Sequence, residues 1–308
     1  MYPTSTQKRF WTFSSVDDLL VQRRHANEEY EKKLSPGKKD SDFMTVEDET
    51  TLLKIVTETG IRFGEDFTPH MWPAVKWTAF AYFKRFYLRH SPLEFAPKII
   101  IIACYYLAMK VEEFNVSIHD FTKNLKTGTP QSNAEKILQW EPILIHRLNF
   151  NLTIHCPFRP FEGHIMMLKT HGMLGFDLEG IRPHTDSFFN KCLFGDVMLL
   201  YPPTQIALAA LSYGLEKMGK MKDIFREHIL RLCQVDSYRP NVENATMADK
   251  LMLRVEQIRE LVEAQSNKPV TAEDRAQMQE KSGRFQLMYE RLTQGSRPPI
   301  PIVDSDDE

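Results

Sequence analysis

The chain has 308 residues, 42% of them hydrophobic and 26% charged, a balance that excludes a disordered chain and leaves room for two domains of ordinary size. Its 39 Lys and Arg against 41 Asp and Glu give a formal net charge of -2 at pH 7, without the basic excess of a phosphate-gripping protein. No direct nucleic-acid contact is expected.

Taken in chain order, Ser15 followed by Asp17 and Asp18 predicts a helix over about 15–33, ending near Ser35-Pro36-Gly37. A second helix starts near Thr45, with Leu52, Leu53, Ile55, Val56 and Ile61 on its apolar face as far as Gly64. Pro73 sits in the first turn of a third, MWPAVKWTAFAYFKRFYL, which is expected to end at His90-Ser91-Pro92. Pro97 opens PKIIIIACYYLAMKVEE, apolar on nearly every side and therefore a central helix buried by its neighbours. Ser117 with Asp120, and Ser132 with Glu135, have capping-box spacing and mark two more starts. The first unit thus reads as five helices ending near Asn151.

After the connector HCPFRPFEG the pattern resumes, with helices predicted at about 159–171, 178–196, 203–218, 221–233 and 243–265, and no period-two strand. A shift of 106 residues lays Tyr82-Phe83 on Phe188-Phe189, Pro97 on Pro203, Ile100 on Ile206 and Ala103 on Ala209, which points to an internal duplication. A further helix is predicted from Thr271 to Gln294, and the Pro-rich, acidic end GSRPPIPIVDSDDE is expected to be disordered. The expected fold is all-α. Its divisions are an N-terminal extension with a helix (1–44), a first five-helix unit (45–151), a second (152–265), and a C-terminal helix with the acidic tail (266–308).

Catalytic chemistry finds little support. Cys104, Cys156, Cys192 and Cys233 are far apart and form no C-x-x-C, so they read as inert thiols in a reducing compartment. Gly214 to Lys220 fits G-x-x-x-x-G-K, but Met221 stands where a phosphate loop has Ser or Thr, and a helix precedes it. His155 is next to Cys156, and His164 and His171 are seven apart, but no H-E-x-x-H occurs and no metal or cofactor is expected. The N-terminus lacks a secretory apolar core, and the apolar run 99–109 is shorter than the roughly 20 residues of a membrane span. An intracellular, soluble chain with no membrane partner is expected. The aromatic stripe Trp77, Phe80, Tyr82, Phe83, Phe86 and Tyr87 reads as core, with Lys84 and Arg85 on its solvated face. Lys110, Glu112 and Glu113 emerge where the most apolar helix ends.

YFKRFYL (82–88), LAMKVEEFNVS (107–117) and LNF (148–150) resemble successive signatures of the cyclin box, a five-helix unit that occurs twice in cyclins. QKRFWTFSS (7–15) and CPFRPFEG (156–163) resemble, more narrowly, the H-type cyclins of the CDK-activating kinase. The resemblance implies two tandem cyclin boxes, with extra N- and C-terminal helices packed together against the first. It implies a regulatory subunit without catalytic residues, which binds and activates a cyclin-dependent kinase by docking on the kinase's mobile αC helix. Lys110, Glu113 and, in ILQWEPILIHRLNF, Glu141 are the implied kinase-binding residues. Pro142, directly after Glu141, predicts that this helix begins or bends there. Segment 49–64 lacks the M-R-A-I-L by which some cyclins recruit substrates, so substrate docking is not expected. The implied partners are the kinase, a RING-finger assembly factor of the ménage-à-trois type and the core of transcription factor IIH, in the nucleus. The alternative, a cyclin-fold general transcription factor on nucleic acid, predicts basic patches and a metal ribbon, against which the charge balance and missing C-x-x-C argue.

Overall fold

Side-chain caps and first-turn prolines set most of the helix starts. The computed structural model describes residues 2–36, 42–171, 175–235, 241–268 and 270–293, which form fourteen α-helices and no strand, as the all-α expectation requires. These are α1 (Thr6–Phe10), α2 (Val16–Leu34), α3 (Val46–Asp66), α4 (Pro73–Phe86), α5 (Pro97–Val111), α6 (Ile118–Thr122) and α7 (Pro130–Arg147). There follow α8 (Phe158–His171), α9 (Arg182–Phe194), α10 (Val197–Leu200), α11 (Pro203–Lys217), α12 (Met221–Leu232), α13 (Val242–Ser266) and α14 (Ala272–Leu292). The tail, 295–308, lies outside the described residues.

Ser15, Thr45 and Thr271 each accept the backbone N–H three residues on, while Asp18, Asp48 and Asp274 reach back to the cap N–H. Pro73, Pro97 and Pro203 occupy the first helical positions of α4, α5 and α11, where no N–H partner is needed.

Elsewhere the boundaries differ from the expectation. The start assigned to Ser132 lies inside α7, because Thr129 caps the helix by accepting the Ser132 N–H at 3.3 Å, with Pro130 at the first position. Pro142 neither starts α7 nor interrupts it. The single helix expected over 178–196 is a 3-10 turn, Leu178–Ile181, followed by α9 and, after Gly195, the short α10. Gly195 has a packing reason: a Cβ there would lie 2.0 Å from Oε1 of Gln265, the oxygen that accepts the Asp196 N–H at 2.8 Å.

By contacts the chain divides into two units. One contains residues 13–154 with 270–293; the other contains 2–12 with 155–268. In the first, α5 is the core: Ile100, Ala103, Cys104, Tyr105, Leu107, Ala108 and Met109 are all buried, and α4, α7 and α3 surround the helix. In the second, α11 has that place, burying Ile206, Ala207, Ala209, Ala210, Leu211 and Leu215 against α8, α9 and α13. The two central helices have the same length of 15 residues and are offset by 106 at both ends, the shift of the predicted duplication.

Lys84 and Arg85 correct the sequence reading. Both are buried, Arg85 to 2% exposure, and its Nη1 donates to the Asn151 carbonyl at 3.0 Å, so the cation ties α4 to the chain beyond α7. Beside it the Tyr82 hydroxyl donates to the Leu152 carbonyl at 2.5 Å. A buried charge is tolerated where it is hydrogen-bonded.

The terminal helices α2 and α14 pack on α3 in the first unit. Tyr30, Leu52, Ile55, Leu93, Met278, Phe285 and Met288 share one apolar cluster. Ion pairs at its rim join Lys281 to Asp48 at 2.5 Å and Arg275 to Glu58. Within this bundle Glu49 is buried beneath a hydrogen bond from the Ser91 hydroxyl, and burial pushes its carboxyl up to about 7.

In the second unit the N-terminal segment folds back on the connector. Buried Gln7 accepts the His155 N–H at 2.7 Å, and the Tyr2 ring stands edge-on to His155 at 5.9 Å.

Candidate functional site

The most apolar helix, α5, delivers its charged C-terminal end to the surface beside α7. Lys110 Nζ lies 2.8 Å from both carboxylate oxygens of Glu141 on α7. The two side chains differ in environment: Glu141 is 11% exposed and Lys110 48%. The ammonium also stands 4.6 Å above the centroid of the Tyr106 ring, one helical turn back on α5. A carboxylate below and a ring beside thus fix the lysine's direction before any partner arrives.

Pro142 leaves this geometry undisturbed. Having no N–H, it cannot donate to the Leu138 carbonyl, whereas the N–H of Glu141 itself is retained. Leu138 is exposed on α7, as is Phe150 just beyond its end.

Glu113 does not join the pair. It is exposed, one residue past the cap of α5, at φ 57, where the Phe114 N–H bonds the Met109 carbonyl at 2.8 Å and the Glu113 N–H bonds Lys110 at 3.3 Å. This is a Schellman turn, whose left-handed residue is normally glycine. Its counterpart 106 residues on is Gly219, at φ 68, with the matching bonds from Lys220 to Leu215 and from Gly219 to Glu216. Glu112 faces the other way and accepts from the Thr78 hydroxyl on α4 at 2.6 Å.

The same offset carries Lys110 onto Glu216. Glu216 pairs with Arg259 of α13, so the second unit repeats the link between its central and fifth helices with the charges exchanged. Arg259 also donates to the Ser212 hydroxyl at 3.2 Å.

Of the residues named from the sequence, the structure brings Lys110 and Glu141 together and leaves Glu113 apart; three neighbouring contacts were not named, Tyr106 under the ammonium, Thr78 on Glu112, and Trp72, which rests on Phe114 at a ring distance of 5.3 Å. The four-residue spacing of Tyr106 and Lys110 on one helix was the available signal for the first.

Among the described residues no group of three His, Cys, Asp or Glu is placed to hold a metal. His164 pairs with His228 of α12, with ring nitrogens 3.1 Å apart, and burial lowers both imidazoles to about 4. Among the described residues no helix is long and apolar enough to cross a membrane.

Comparison with known proteins places the chain in a family. The cyclin N-terminal domain model matches residues 69–153, and the cyclin C-terminal domain model matches 156–263. Cyclin-H of Xenopus laevis is 37% identical over 238 residues, 75% of this chain and 74% of the relative. Cyclin mcs2 of Schizosaccharomyces pombe is 29% identical over 225 residues, 67% of each chain. Among solved structures, a chain of the CAK complex of Chaetomium thermophilum bound to ATP-gamma-S superposes with a TM-score of 0.74 at 25% identity, covering 100% of this chain and 97% of that one. A chain of the yeast TFIIK (Kin28/Ccl1/Tfb3) complex shares the fold, with a TM-score of 0.66 at 22% identity, over 85% of this chain and 100% of that one.

Proposed function

The chain belongs to the cyclin family, alongside the H-type cyclins, and from that premise we propose that it is the regulatory subunit of a CDK-activating kinase. It binds a cyclin-dependent kinase and switches it on, in cell-cycle control and in transcription by RNA polymerase II. The observation that carries this reading is the pre-oriented Lys110 on the central helix of the first cyclin box, held by Glu141 in a chain similar along its whole length to a CAK subunit.

A protein kinase is active when the glutamate of its αC helix pairs with the lysine that anchors ATP. A subunit that binds the inward αC better than the outward one shifts the population toward the active form by its difference in affinity. Lys110, Glu141 and Glu113 supply polar contacts for such a surface: an ammonium to αC-side carbonyls, and carboxylates to backbone N–H groups or cations. Exposed Leu138 and Phe150 give it apolar anchors. The subunit contributes no catalytic group; the chemistry belongs to the kinase. A RING-finger assembly factor and the core of transcription factor IIH complete the assembly, which works in the nucleus.

Mixing the purified chain with the kinase of the CDK-activating complex tests this. Co-elution on gel filtration with a large rise in phosphorylation of a polymerase-tail peptide is expected. No complex, together with salt-sensitive DNA binding by the free chain, overturns the reading.

A further inference from the structure

Trp72, the residue before α4, keeps 51% of its surface exposed. A lone exposed apolar side chain is ordinary. This one is held in place: its ring stands edge-on to Phe114, with centroids 5.3 Å apart at 77°, and Phe114 is buried. Phe114 directly follows Glu113, so the turn that closes α5 carries both the ring that supports Trp72 and an exposed carboxylate. Glu112 is engaged by Thr78 at 2.6 Å, which leaves Glu113 as the exposed anion of the turn.

Glu113 also holds a backbone angle of φ 57 that side-chain-bearing residues adopt at a cost, where the second box uses Gly219. A local rule broken at an exposed position marks a functional candidate. Lys110 does not satisfy this carboxylate, because its ammonium is committed to Glu141 and Tyr106.

We propose that Trp72 and Glu113 form a receptacle for a cationic side chain, by preference an arginine, of the kinase that docks at Lys110. The inference rests on the functional reading above, and extends that interface across the end of α5. Indole is the best ring for a cation, and the flat, weakly hydrated guanidinium stacks on it while directing its N–H fork to a carboxylate. The position suits such a partner: the turn adjoins the Lys110 pair, and its free charge is negative.

The test uses the full chain and the purified kinase of the CDK-activating complex, with Trp72→Ala, Glu113→Gln and the double variant. Each single change is expected to weaken binding about tenfold, the worth of a partly desolvated cation–π contact or ion pair. The double change is expected to cost clearly less than the product, since both groups hold one cation. Trp72→Phe retains most of the affinity, and unchanged circular dichroism and thermal midpoints show the variants folded. Binding within twofold of wild type for Trp72→Ala overturns the inference. So does a fully multiplicative double variant, or a Trp72 effect confined to self-association of the chain. If Lys110→Ala still weakens a complex that ignores Trp72→Ala, only this inference falls. If the wild-type chain forms no complex, the functional reading falls with it.

Discussion

Replacing Lys110 by alanine isolates the contact on which the functional reading depends. In the free chain the change removes the ion partner of Glu141, a carboxylate only 11% exposed, but water gains access through the space left by a lysine that is 48% exposed. The cost to folding is therefore small, about 1 kcal/mol, in the range of partly exposed ion pairs. If Lys110 docks on the kinase as proposed, the same ammonium is desolvated in the complex, and truncating one partner of such a charged contact costs about 2–5 kcal/mol. At about 1.4 kcal/mol per tenfold, the dissociation constant rises at least about thirtyfold. Calorimetric titration of the variant with the kinase measures this, and phosphorylation of a polymerase-tail peptide against variant concentration gives the activity. Because activation follows occupancy, the curve shifts to higher concentration while its plateau recovers. Glu141→Gln releases the lysine from its anchor and weakens binding in the same direction, less than additively with Lys110→Ala. A Lys110→Ala chain that is folded and binds within twofold of wild type refutes the argument.

Glu113→Gly relieves the left-handed backbone strain at φ 57 and is expected to stabilise the chain by about 1 kcal/mol in urea unfolding, while kinase affinity falls. Gly195→Ala drives a Cβ to 2.0 Å from Gln265 Oε1 and breaks its bond to the Asp196 N–H, a loss of about 1–3 kcal/mol read by the same unfolding. Stability against pH should have two opposed slopes. Burial lowers His90, His164 and His228 from 6.5 to about 4, so between those values the unfolded chain binds more protons and stability falls as pH drops. Burial raises Glu49 from 4.5 to about 7, so the folded chain holds the extra proton and its contribution is lost as pH rises through that window. Urea unfolding from pH 4 to 8 should show Glu49→Gln abolishing the decline above 6.5, and His228→Gln flattening the acid side.

Much of the fold was legible because its signals are local. Caps at Ser15, Thr45 and Thr271 and prolines at 73, 97 and 203 each act within one turn of the residue that reveals them. The short α1 and α10 were not legible, since five and four residues show no apolar period. The break at Gly195 depends on Gln265, far along the chain, and the burial of Arg85 depends on the Asn151 carbonyl; neither is visible in the local pattern. At the site, Lys110 was conspicuous as the first charge after an apolar helix, and Glu141 was named beside it from family likeness alone; that the two pair with each other had to be seen in place. The matching pair in the second box shows the limit well. The duplication offset of 106 leads from Lys110 to Glu216, yet α7 and α13 begin at Pro130 and Val242, a different offset, so Arg259 had to be seen in place.

That exchanged pair also bears on how many partners the proposed mode of docking could seat. A surface that accepts an exposed ammonium over a sunken carboxylate meets, on the second box, an exposed carboxylate over a sunken guanidinium. Like charges brought together at an interface cost several kcal/mol, enough to forbid occupation at ordinary concentrations. On the proposed reading, two identical faces on a duplicated protein would gather two kinases, whereas one upright and one inverted face would gather one.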